Sequence, residues 1–314
     1  MHFNKVNIEI SNICNLQCSF CPEVVRAPGM IDLELFRRVI EQVAPLTDQV
    51  CFHLMGDPLV HPLLGEMVEI CGEKQVPIFF VTNGVLLRPD KAALLLHPAF
   101  RQVNFSLHSF FDNFPDGDPS AYLERIFSFV ERALAERPEL YINFRLWNLE
   151  EARGTGVKNQ QMLKRVEERF GVAVSASSFG LRKSRKLKGR LYLHFDTEFA
   201  WPSLDLEVLS ERGTCKGLSN HFGILMDGTV VPCCLDKEAA IPLGNIAEKP
   251  VIDILGSPRA QAVLRGFREG RLVEELCKRC QYSERFAVNL RVNKEAAPIP
   301  ESRLAFPGSV QSLP

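Results

Sequence analysis

Residues 6–175 alternate between two hydrophobic periods, and this alternation narrows the fold more than any other feature of the chain. Short β-rich runs occur at Val6–Ile10, Val50–Met55, Pro77–Thr82, Val103–Leu107, Leu140–Trp147 and Val172–Ser175. Helical spacing fills the gaps. Asp32 reads as an N-cap that opens a helix with Leu35, Phe36, Val39, Ile40 and Val43 on one face. Further helical patterns follow at Leu63–Cys71, Pro89–Leu96, Ser120–Arg137 and Lys158–Phe170. Repeated strand–helix units predict a parallel sheet with right-handed crossovers. Six units are too few to close an eight-unit barrel, so the expected α/β fold is an open, partial (β/α)6 TIM-like barrel.

In such folds chemistry gathers where the strands end. Those ends carry Cys14–Cys21, Gly56-Asp57-Pro58, Thr82-Asn83-Gly84, His108-Ser109 and Trp147-Asn148. Period-two alternation sets Val103, Phe105 and Leu107 against Asn104, Ser106 and His108. It likewise sets Ile142, Phe144 and Leu146 against Asn143, Arg145 and Trp147. The apolar faces are expected to meet helices, and the polar faces to line a cavity.

Ten cysteines in a chain of this length, with no signal peptide, do not read as a disulfide framework. Seven fall in short-spaced groups: Cys14, Cys18 and Cys21; Cys215 and Cys233; Cys277 and Cys280. Such groups point to metal or redox chemistry. Cys14-x3-Cys18-x2-Cys21 offers three thiolates from one loop, enough for three corners of a [4Fe–4S] cube with one iron left open. A structural zinc site is the alternative, weakened by the odd count of three. Cys215, Cys233, Cys277 and Cys280 offer four thiolates. These suit a fully ligated cube or an all-cysteine zinc site, and on spacing alone zinc is the more common outcome. Cys51 and Cys71 read as core. Cys234 follows Cys233 directly and would point away from it on a strand.

The first cysteine group, with Phe20 before its last member, resembles the signature of the radical S-adenosylmethionine (SAM) superfamily. Gly56-Asp57-Pro58 is similar to that family's Gly-Gly-Glu-Pro element, which binds the SAM amino group, with an aspartate for the usual glutamate. Asn83, in Thr82-Asn83-Gly84, and Ser106 match further SAM-contacting positions. The second group resembles the twitch domain, the short form of the SPASM domain. The resemblance implies a radical SAM barrel over 1–181, a linker over 182–209, a small α+β auxiliary domain over 210–293 and a disordered tail over 294–314. It also implies SAM, a SAM-binding [4Fe–4S] cluster and one auxiliary [4Fe–4S] cluster. SAM would be cleaved reductively to a 5′-deoxyadenosyl radical that takes hydrogen from a substrate. The auxiliary cluster would accept an electron, completing oxidation of a small molecule.

His53, His108 and Arg145 are the candidate catalytic residues. A buried arginine needs an anionic partner, for which the SAM carboxylate would serve. The expected partners are a small-molecule or peptide substrate and an electron donor such as flavodoxin or ferredoxin. A net charge of −1 excludes a global pull toward nucleic acid, and no stretch is long and apolar enough to span a bilayer. The expected compartment is the cytoplasm. The basic run 182–190 reads as solvated linker. Competing functions are a peptide-modifying radical SAM enzyme and a non-enzymatic iron–sulfur or zinc carrier or RNA-binding module.

Overall fold

A computed structural model describes residues 1–149, 157–174, 184–197 and 200–283. Ten strands form one open sheet. The first half supplies β1 (Lys5–Ile8), β2 (Val50–Cys51), β3 (Ile78–Thr82), β4 (Phe100–Ser106) and β5 (Tyr141–Leu149). The second half supplies β6 (Ser184–Lys188), β7 (Leu191–Thr197), β8 (His221–Ile224), β9 (Thr229–Val231) and β10 (Gly244–Asn245). Their order is β10-β9-β8-β1-β2-β3-β4-β5-β7-β6. Strands β1 to β5 and β7 run parallel, giving the six barrel strands.

Helices α1 (Leu33–Val43), α2 (Leu64–Glu73), α3 (Pro89–Leu94), α4 (His108–Asn113), α5 (Ser120–Glu136) and α6 (Val157–Phe170) connect or flank these strands. Asp32 caps α1 by accepting a hydrogen bond from the Leu35 N–H, worth about 1 kcal/mol. Phe36, Val39, Ile40 and Val43 of α1 are fully buried. The apolar faces of β4 and β5 meet α5 and α6 through Phe105, Phe127, Phe129, Phe144 and Phe170, whose rings touch edge-on or tilted.

Two expectations are corrected. Residues 172–174 form no strand; the sixth parallel strand is β7, paired with β5. Residues 184–190 of the basic run, expected as linker within 182–209, form β6 and the turn to β7. Lys186 and Lys188 face solvent on this edge strand while Arg185 and Leu187 are half-buried, and the charge discourages further pairing. The expected tail, 294–314, lies outside the described residues. Among the described residues no helix is long and apolar enough to cross a membrane.

The second half adds the β8–β9 hairpin with α7 (Val251–Leu255), α8 (Pro258–Arg268) and α9 (Glu275–Lys278). Gly228, at φ +87°, makes the Asp227-Gly228 turn. Strand β8 pairs in parallel with β1 over four residues, so the hairpin continues the barrel's sheet. Buried Glu9 locks this join. It receives the Arg26 guanidinium at 2.7 and 2.9 Å and the Met226 N–H at 3.3 Å.

Candidate active site

The loop after β1 is closed at its base by a Ser11–Met30 bridge and by Asn12, which bonds Ala27 and Gly29. Its tip carries Cys14, Cys18 and Cys21. Helix α4 holds that tip. Asp112 accepts from the Ser19 N–H and hydroxyl, both at 2.6 Å. Asn113 accepts from the Gln17 N–H at 2.8 Å and donates to Cys18 Sγ at 3.1 Å. Asn83 donates to Asn15 at 2.9 Å and to Cys14 Sγ at 3.8 Å. Burial pushes the Cys14 thiol up to about 11. A hydrogen bond with Cys21 draws the Cys18 thiol down and raises that of Cys21. Thiols this close share protons, and full ionisation needs a bound cation.

Gly56 seats this loop on the end of β2. At φ +73°, a Cβ there would lie 2.4 Å from the Ser11 carbonyl and 2.6 Å from that of Ile13. Asp57 accepts from the N–H groups of Leu59 and Asn83, at 2.9 and 2.7 Å. The Thr82 hydroxyl spans its two oxygens at 3.0 and 2.8 Å. This carboxylate joins the turn after β2 to the end of β3 and still borders the cavity. Pro58 begins a short 3-10 turn and is buried. Gly56, Asp57, Asn83 and Ser106 border a cavity of about 550 Å³; Pro58 does not.

The three candidate catalytic side chains border the same cavity. Arg145 stacks its guanidinium on Trp147, 4.3 Å from the ring centroid, and lies 5.7 Å from that of Phe79. His53 Nδ1 is buried and has no hydrogen-bond partner. Burial, then the charges of Arg145 and Lys5, hold this imidazole down at about 3, so it is neutral. Helix α4 begins at His108, so alternation along a strand does not explain its orientation. Its Nδ1 donates to the Arg145 carbonyl at 3.1 Å, and its ring lies 4.7 Å from that of Phe20 in the cysteine loop. Asn143, expected to face the cavity, instead donates to Asn104 at 2.8 Å in an interior polar ladder.

The second cysteine group closes the opposite side. Cys215, Cys233, Cys277 and Cys280 all border the cavity, as do Cys234 and Cys51. Backbone bonds Gly213 N to Gly270 O and Leu209 N to Lys278 O bring the segment before β8 beside α9. Burial first, then neighbouring thiols, raises Cys215, Cys233 and Cys277. Among the described residues no three His, Cys, Asp or Glu side chains converge on one metal-ion position. Trp201 and Pro202 border the cavity as well.

Residues 8–159 match the model of the radical SAM superfamily, and residues 215–281 match SPASM, an iron–sulfur cluster-binding domain. The chain belongs to the radical SAM superfamily. This radical SAM protein carries a C-terminal SPASM-type domain, and its cofactors are SAM, a SAM-binding [4Fe–4S] cluster and auxiliary iron–sulfur ligation. It is 26% identical over 115 residues to the S-adenosyl-L-methionine-dependent 2-deoxy-scyllo-inosamine dehydrogenase of Niallia circulans, covering 34% of this chain and 46% of that protein. It is 28% identical over 141 residues to the GTP 3′,8-cyclase of Desulforamulus reducens, covering 42% and 43% of the two chains. The chain thus spans less than half the length of these relatives. In fold it is similar to BtrN in complex with AdoMet and 2-DOIA, at TM-score 0.59 and 17% identity, covering 90% of this chain and 94% of that one. It is also similar to Streptococcus suis SuiB bound to precursor peptide SuiA, at TM-score 0.57 and 15% identity, covering 89% and 71%.

Sequence reasoning missed Asp112, Asn113 and Lys5. The first two sit in a helix too short for a periodic signal, and Lys5 lies before the first apolar run.

Proposed function

We propose that this radical SAM enzyme is an oxidoreductase that dehydrogenates a small molecule, with the auxiliary cluster taking one electron. The single cavity bordered by both cysteine groups carries this reading. When bound, SAM and the two clusters supply reductive cleavage to a 5′-deoxyadenosyl radical, hydrogen abstraction, and an acceptor for the second electron.

The chain's own groups do the rest. Cys14, Cys18 and Cys21 are the proposed ligands at one end, with Cys215, Cys233, Cys277 and Cys280 at the other. Gly56, Asn83 and Ser106 border the space for SAM, while Asp57 and Pro58 shape the turn beside it. The unpartnered Nδ1 of His53 offers a hydrogen bond to a polar group of the substrate. Oxidation of a substrate alcohol removes one hydrogen atom, one electron and one proton, the proton passing to water. His108 orients the Arg145 backbone and Phe20. Trp201 and Pro202 limit water entry from one side. An external donor of the flavodoxin or ferredoxin kind would reduce the first cluster. A volume near 550 Å³ favours a small ligand over a folded peptide.

Anaerobic reconstitution with SAM and dithionite tests this. The expected product is 5′-deoxyadenosine, with about eight irons per chain. Cys18→Ala should abolish cleavage. Cys277→Ala should keep cleavage and hold about four irons. Zinc at the second site, or a second cluster that cannot be reduced at any applied potential, overturns the electron-acceptor role.

A further inference from the structure

Two cations at the cavity have no carboxylate partner among the described residues. Two cations approach the same ring: Lys5 Nζ lies 5.8 Å from the Phe79 centroid and the Arg145 guanidinium 5.7 Å. Neither forms an ion pair with any described residue. The acidic groups that act on Arg145 are the Cys51 thiol and the Tyr282 phenol, not a carboxylate. Burial pushes the Cys51 thiol up to about 12, so it supplies no negative charge. Asp57, the carboxylate on the cavity wall, is bonded to Thr82, Asn83 and Leu59. His53 Nδ1, also buried and unpartnered, feels both cations. The other histidines nearby are His108, bonded to the Arg145 carbonyl, and His221, which Lys5 also affects.

Sheet register separates this group from the SAM end. The SAM-facing residues Asn83 and Ser106 lie at or beyond the ends of β3 and β4. Phe79 lies three residues before Thr82, about 10 Å lower along the strand. Asn7 pairs with Cys51, and Cys51 with Phe79, so Lys5 starts β1 two residues below the level of Phe79 and its side chain reaches up to that ring. The Arg145 backbone pairs with Ser106, and its guanidinium lies between the Trp147 and Phe79 rings, at 4.3 and 5.7 Å from their centroids.

We infer that Arg145, Lys5 and His53 form an anion-binding subsite at the cavity floor, and that the substrate presents a carboxylate or phosphate group there. The inference rests on the reading of this cavity as the substrate's, and it moves Arg145 from the SAM carboxylate to the substrate. Partly buried cations without an anionic partner are stabilised by an incoming oxyanion. Arginine offers a planar fork that suits either oxyanion. A substrate bearing only amines would be repelled.

The test uses full-length, cluster-loaded protein without turnover. Inorganic phosphate and acetate are compared with chloride at equal ionic strength, reading the thermal midpoint. At least one oxyanion should raise the midpoint above chloride, and the stronger of the two names the group. Arg145→Gln and Lys5→Gln should each weaken that binding about ten- to a hundredfold, and Arg145→Lys should restore part of it. SAM affinity, measured by equilibrium dialysis, should persist in all three variants. The inference is overturned if neither oxyanion exceeds chloride, if both Gln variants respond as the wild type, or if Arg145→Gln loses SAM instead. Because binding is read without catalysis, a failed dehydrogenation assay does not produce any of these outcomes.

Discussion

Asn113 donates from its amide to Cys18 Sγ at 3.1 Å, so a helix 95 residues away in sequence holds the middle thiol of the first cysteine loop. Asp112 beside it holds Ser19 through two further bonds. Asp112→Ala should free the loop tip, at a cost of about 1–3 kcal/mol per lost charge-assisted bond. The expected outcome is loss of iron from the first site, with the auxiliary iron retained. Iron analysis with EPR separates the two. Unchanged iron content would remove α4 from any role in the loop.

Gly56 allows the closest backbone approach at the site. Gly56→Ala brings a positive φ and a Cβ 2.4 Å from a carbonyl oxygen. The strain should cost at least about 2 kcal/mol, and the shift should displace the Ile13–Asp57 backbone bond of 3.0 Å. Thermal unfolding should show the loss, and SAM binding should weaken with it.

Cys233 and Cys234 test the second cluster. Cys233 is affected by Cys234, Cys215 and Cys277 together, while Cys234, which packs against Leu54, Leu225 and Val231, also acts on Cys215 and Cys280. Cys233→Ser should cut iron to about four per chain, and Cys234→Ser should leave it near eight. The reverse pattern would exchange the two ligands.

Stability should fall in mild acid. Burial first, then Lys5, holds His221 down at about 4, below the ordinary value near 6.5. Its neutral form contributes stability that is complete above pH 6.5 and is lost as pH falls toward 4. His53 and His108, held near 3 and 4, act in the same direction. Asp57, raised by burial, opposes them. His221→Gln should flatten the decline in thermal midpoint between pH 6.5 and 5, because unfolding takes up one proton fewer. A parallel decline in the variant would contradict the assignment.

Much of this architecture is legible from hydrophobic spacing, and the exceptions have physical causes. Helices α1 and α5 are long and one-sided, so their period is plain. Strand β7 escaped because Leu191, Leu193 and Phe195 follow a basic run that masks the start of the hairpin. The three cysteines of the first loop are visible because their spacing is local. Lys5, Phe79 and Arg145 lie far apart along the chain and at different levels of the sheet, and only their side chains bring the two cations to one ring. Asp57 shows the opposite case: its motif is legible, but its commitment to Thr82 and Asn83 depends on where β3 ends.

The β1–β8 pairing has a further consequence. One hydrogen-bonded sheet runs beneath both cysteine-bearing regions, so neither can swing away from the other without breaking the ladder between β1 and β8. Under the proposed dehydrogenation, that join would hold the distance between donor and acceptor steady against fluctuation.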